Sequence, residues 1–331
     1  MAIKSLGTMV FLAVAVTPAI AADWGPSPFL PPSPYQPGLS DPDSVSIANE
    51  TVRLRASIGA LFIEGDEYVF NGDRTLSHLI WQSKAPVLRA GIDLNVGNGF
   101  SVSAESSVAG YGTSYMEDYD WFLPTDDFDN WTHRSQHPDT DLNHYFSGEI
   151  ALGYDLSRTE NANVRMHGGF SYTDVHWAAY GGRYVYSVNG FRDETGSFPD
   201  GEPAIDYRQR LPEVFIGVDG EETYGSFRLA GLLRGGVTVL GNSTDNHWMR
   251  DLRVEDSFGV APTLTAGLDA GFALGPMAEL FIGARYDHKF MMRGRAEYID
   301  TNTETITIAE DDIAGAALRT LSLNVGLKAR F

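Results

Sequence analysis

The chain of 331 residues contains no cysteine. That absence excludes disulfide scaffolds, thiolate zinc sites and thiol nucleophiles together. Cations are scarce too: 24 Lys and Arg stand against 44 Asp and Glu, a formal net charge of −20. Phosphate recognition needs clustered basic side chains, so the composition argues against nucleic acid as a partner and fits a basic substrate better. Long hydrophobic runs are missing as well. Beyond the first two dozen residues no stretch approaches the roughly 18 uninterrupted apolar residues of a membrane helix, which excludes a helical membrane protein. What remains is 35 glycines, 12% aromatics, eight histidines and many carboxylates.

Residues 1–22 read as a signal peptide, with Lys4, an apolar stretch from Met9 to Val16, Pro18, and the small-residue site Ala19-Ile20-Ala21. Proline is otherwise sparse but crowds into residues 23–44, as Pro26, Pro28, Pro31, Pro32, Pro34, Pro37 and Pro42. This density removes backbone donors and favours extended polyproline geometry, as in a periplasmic spacer. Residues 45–331 are expected to form one domain.

From about Val52 the dominant signal is alternation with period two, broken by Gly, Asn and Asp clusters. Phe146, Ile150, Leu152, Tyr154 and Leu156 share one face, with Glu149 and Asp155 on the other. Phe227, Leu229, Leu233, Val237 and Val239 oppose Arg228 and Arg234, and Leu264 to Leu274 repeats the pattern around Asp269. An apolar face backed by charges suits an outer-membrane barrel, with lipid outside and paired charges within.

Short turns are expected at Asn95 to Gly99, Ser157 to Ala162, Asp219 to Glu222 and Ala273 to Pro276, about 60 residues apart. A membrane strand needs only about 9–11 residues, so each interval holds an ascending strand, a long polar loop and a descending strand. Four turns then give a ten-stranded antiparallel transmembrane β-barrel, all-β, with both ends on the periplasmic side. The long extracellular loops are placed at residues 64–82, 112–145, 176–211, 241–259 and 293–314. The alternating segment Leu321 to Phe331 ends on an aromatic residue, like the C-terminal insertion signal of such barrels.

Two constellations in those loops carry possible chemistry. In Asp118-Tyr119-Asp120-Trp121, alternation puts both carboxylates on one side of the backbone, where mutual repulsion raises one pKa and suits holding a water or sharing a proton. In Asp245-Asn246-His247, the same spacing lets the carboxylate orient the imidazole and stabilise its protonated form. Pairs two hairpins apart can face each other across a lumen mouth, with a water between them.

At these residues the chain resembles the omptin family of outer-membrane endopeptidases. The likeness runs from about Val52 to Phe331. It is densest at Asp118 to Trp121, at Trp131-Thr-His-Arg-Ser-Gln-His-Pro-Asp-Thr-Asp-Leu-Asn143, and from Gly181 to Tyr186, continued through Gly190 to Glu202. The resemblance implies a ten-stranded barrel with proteolysis at its extracellular mouth. It puts the family's acidic pair on Asp118 and Asp120 and its Asp/His pair on Asp245 and His247. It also implies a water nucleophile, with no covalent intermediate and no metal. Cleavage beside basic residues is implied, with one pocket acid at Glu67. The second pocket acid falls on Ser243, and the acid of the leaving-group side falls on His133.

Lipopolysaccharide, which the resemblance implies as a requirement for activity, is contacted in the family through positions that fall here on Phe170, Tyr172, Asp174 and Arg210. Only Arg210 keeps the family's residue type. Three rival readings are weighed against the protease. An omptin-like adhesin has no need of the complete Asp118, Asp120, Asp245, His247 set. A diffusion porin conflicts with a lumen filled by charges such as Arg228, Arg234 and Asp269. A metal hydrolase is poorly served by one His among unmatched carboxylates. His137 is expected to support the second loop.

Overall fold

A computed structural model describes residues 51–123 and 127–331, so the expected signal peptide and Pro-rich segment lie outside the described residues. The strands are β1 (Val52–Asn71), β2 (Arg74–Gly97), β3 (Phe100–Ala109), β4 (Thr113–Asp120), β5 (His133–His137), β6 (Asp139–Arg158), β7 (Ala162–Tyr180) and β8 (Arg183–Tyr186). They continue as β9 (Glu194–Ser197), β10 (Pro203–Tyr224), β11 (Phe227–Thr238), β12 (Asn242–His247), β13 (Leu252–Phe258), β14 (Pro262–Ala273), β15 (Ala278–Asp300) and β16 (Thr305–Arg330). Ten of them close a ring of antiparallel pairs in the order β1, β2, β3, β6, β7, β10, β11, β14, β15, β16 and back to β1. Closure leaves no strand edge in this part of the wall, the condition for a sheet to cross lipid.

The alternation follows the expected pattern. Leu54, Ile58, Leu88, Ile150, Leu152, Ile216, Leu233, Leu268, Ile282, Leu323 and Val325 stand exposed on the outside, in a band suited to lipid. Glu64 and Arg319, paired to each other, mark its upper limit on β1 and β16. Between the outward residues the lumen is filled by ion pairs. Glu105 accepts from Arg89 and Arg285, Glu149 from Arg234 and Arg285, Glu279 from Arg228 and Arg330, and Glu221 from Arg53. Asp269 meets Lys328 at 3.2 Å. A cavity of about 180 Å³ remains among these charges, near the ends that carry the short turns.

Two expectations need correction. The turn placed at Asp219 to Glu222 lies instead between Tyr224 and Phe227, because β10 continues through Asp219 and Glu221. Those carboxylates point inward and are held there by Arg165 and Arg53, so an Asp-Gly pair that reads as a turn is a strand interior. The extracellular loops are also mostly strand. Residues 64–82 form one continuous hairpin turning at Gly72, and residues 241–259 contain β12 and β13. Above the lipid band both faces meet water or polar partners, so apolar alternation fades while backbone pairing continues.

These upper strands widen the barrel. β2 pairs with β3 through residues 87–97, then with β4 through residues 77–84, and β5, β8 and β9 follow β4 in turn. Likewise β10 exchanges β11 for β12, and β13 joins β12 to β15. The first exchange is made at Tyr111 and Gly112, both at positive φ, where a Cβ on Gly112 would lie 2.2 Å from the Lys84 carbonyl oxygen. Beneath the widened mouth lies an apolar floor in which Trp81, Trp177 and Tyr207 stack, closed around by Met116, Leu211, Met292 and Leu318.

Candidate active site

The two inserted strand groups each deliver one of the acid-containing pairs. On β4 the even positions Ser114, Met116, Asp118 and Asp120 share the inner face. On the other face, the Glu117 carboxylate accepts from the Tyr119 hydroxyl at 2.5 Å and from Arg134 at 2.6 Å, which anchors β4 to β5. Ser77, opposite Asp120 on β2, donates to Asp118 Oδ1 at 3.3 Å. On β12 the inner face carries Ser243, Asp245 and His247, with Tyr207 of β10 and Val254 of β13 flanking Asp245. Asp245 is 1% exposed, and its Oδ2 lies 2.6 Å from His247 Nε2.

All of these groups stand above the lipid band. Burial raises the Asp118 carboxyl, the neighbouring Asp120 charge raises it further, and the His247 and Arg250 charges oppose the shift. Asp120 is raised chiefly by burial. At His247 burial works against the cation, but the Asp245 carboxylate outweighs it and holds the ring pKa above its usual 6.5. Asp118 and His247 thus act on each other across the mouth. The β8 side chain Tyr186 closes in as well, its hydroxyl pushed up to about 12 by burial and by Asp118.

Glu67 of β1 lies on the same inner wall, 5% exposed, and its Oε2 has no hydrogen-bond partner among the described residues. Burial lifts its pKa well above the ordinary carboxyl range, and Asp245 and Asp256 add to the effect. Ser243 does not leave its neighbourhood without an acid: its hydroxyl donates to Asp256 Oδ2 at 2.6 Å, from the directly opposed position on β13. Burial and Asp245 push Asp256 up to about 7, against the Ser243 bond. His133 lies opposite Asp120 on β5, between the Phe122 and Tyr186 rings.

The structure therefore brings Asp118, Asp120, Asp245, His247 and Glu67 to one mouth. Arg210 is elsewhere, on the outer wall, donating to Asn242 Oδ1 at 3.1 Å. Beside it Asp174 is clasped by Arg208 at 2.5 Å and by His144 at 3.0 Å. His137 is buried, bonded to the Gly181 carbonyl at 2.6 Å and to Ser135 at 2.9 Å, and so ties β5 to the start of β8. Sequence reasoning missed Asp256 and Arg250. The first was detectable, because Val254, Asp256 and Phe258 alternate. The second sits in a single helical turn, Trp248–Arg250, which carries no periodic signal.

The omptin family model matches residues 48–331. The chain belongs to the omptin family. It is 28% identical to the plasminogen activator of Yersinia pestis over 89% of this chain and 92% of that one. It is 27% identical to protease 7 of Escherichia coli K12 over 87% and 93%. The crystal structure of the outer membrane protease OmpT from Escherichia coli superposes with a TM-score of 0.79 at 25% identity, covering 86% of this chain and 98% of that one. This omptin is accordingly an outer-membrane β-barrel protease of a Gram-negative cell surface. It acts on peptide or protein substrates at a mouth that faces the exterior.

Proposed function

We propose that this omptin is an aspartic-type endopeptidase in which a water held between Asp118 and His247 attacks the peptide carbonyl directly. The observation that carries the reading is the 2.6 Å contact between His247 Nε2 and the buried Asp245. A ring that donates through Nε2 keeps its lone pair on Nδ1, so Nδ1 is the atom that takes the proton of the water. Asp118 holds the water from the opposite wall, and Asp120 sets the charge state of Asp118 by repulsion. The proton on His247 then passes to the leaving amine, which returns the ring to its starting state.

Glu67 supports a preference for Arg or Lys before the scissile bond, because a buried acid without a cation is a ready partner for one. Lipopolysaccharide is the proposed lipid partner, through Arg210 on the outer wall. Its neighbour Asp174 is neutralised by Arg208, and hydrogen-bonded to His144, rather than left to repel lipid phosphate. Dependence on that lipid is expected to be graded rather than absolute.

The test is cleavage of a fluorogenic peptide library by the refolded barrel, with and without lipopolysaccharide. His247→Ala and Asp118→Ala are each expected to lose roughly 10²-fold or more in kcat/KM, as for loss of a general base or of the group that positions its water. A folded wild type that cuts nothing in either condition would hand the mouth to the adhesin reading.

A further inference from the structure

Resting on that protease reading, we propose that Asp256 is a specificity-determining residue: with Glu67 it forms the two-carboxylate seat for the basic side chain before the scissile bond, in place of an acid at position 243.

The inward carboxylates lower in the lumen divide sharply from these two. Glu105, Glu149, Glu213, Glu221 and Glu279 each meet an Arg or Lys. Glu67 and Asp256 are equally buried, at 5% exposure each, yet neither forms an ion pair among the described residues. Among the described residues Glu67 Oε2 and Asp256 Oδ1 have no hydrogen-bond partner. Burying an acid without compensation is costly, and a fold that pairs the acids lower in the lumen has left these two, above them, for a cation from outside.

The surroundings agree. Asp256 directly opposes Ser243 across β12 and β13, and on its other side β15 presents only Ala296. The Ser243 hydroxyl occupies Oδ2 and leaves Oδ1 open. The remaining polar neighbours that act on the two acids or feel their charge are Asp245, Asp118, Tyr207 and Tyr298, all without positive charge. The acid that position 243 lacks is thus supplied by the adjacent strand at the same level, with the serine acting as its orienting donor. An incoming guanidinium or ammonium would be shared between β1 and β13.

The experiment compares refolded wild type with Asp256→Asn, with the exchange Ser243→Asp/Asp256→Ser, and with His247→Ala on the same library. Asp256→Asn is expected to lower kcat/KM for substrates with Arg or Lys before the cut by roughly 30-fold or more, as when one partner of a buried charge pair is removed. Substrates with an uncharged residue there should change little, and the exchange should recover most of the loss. An unchanged basic preference in Asp256→Asn, or an equal loss for every substrate, overturns the assignment. Arginine amide supplies a readout free of catalysis: it should raise the unfolding temperature of wild type and of His247→Ala, but not of Asp256→Asn. Equal stabilisation of all three, or none of wild type, also overturns it. A wild type that binds arginine amide through Asp256 yet cuts nothing would sink the protease reading while leaving the seat in place.

Discussion

His247 can accept a proton only when its ring is neutral, and Asp245 works against that state by stabilising the imidazolium. The acid limb of kcat/KM should therefore lie above the ordinary histidine value of about 6.5. Asp245→Asn should move that limb downward and lower the plateau, a shift that a pH-rate profile of both proteins reads directly. Asp256 makes the opposite kind of prediction, about stability. Its folded pKa, about 7, exceeds its ordinary 3.8, so the folded state holds the proton more tightly. That stabilisation is complete below pH 3.8 and is lost as pH rises toward 7. The unfolding temperature should fall across this window in wild type and fall less in Asp256→Asn.

β4 and β12 show where the sequence is legible and where it is not. Their alternation put Asp118 beside Asp120 and Asp245 beside His247 on single faces, and both pairs are found so. The segments nevertheless give no strand signal of their own, because apolar alternation reports lipid or core contact and these strands have a polar inner face. For Asp256 the alternation with Val254 and Phe258 marks an inward position but not its use, which depends on the cross-strand register that sets it opposite Ser243, and register is a property of two segments at once. Packing beneath the site was equally hidden. Gly65 sits against Trp177, where a Cβ would come within 2.6 Å of the indole. Gly65→Ala should cost about 1–3 kcal/mol through overpacking, read as a lower unfolding temperature. Displacing that ring should also weaken activity, since Glu67 is two residues away on the same face of β1.

The barrel as a whole combines two interiors, a charged one below and an apolar floor above, and their stabilities rest on different terms. Lys289 and Glu213, 2.5 Å apart and both buried, form an ion pair beside Leu318, where the two layers meet. Among the described residues Lys289→Ala leaves the acid with Ser171 and Thr263 as donors and no cation, and about 3–5 kcal/mol should be lost. Adding Glu213→Gln should restore much of it, as denaturation of the two variants side by side would show. Ten strands around such a filled lumen should also give near-zero conductance in a planar bilayer. The strand count is readable from the spacing of the short turns and the charged filling from the alternation, whereas the division into two layers emerges only once the ring closes. The stacked floor of Trp81, Trp177 and Tyr207 makes the mouth a blind socket. A polypeptide can lie across it or dip a side chain into it but cannot be threaded through, so both fragments of every cut remain outside the cell.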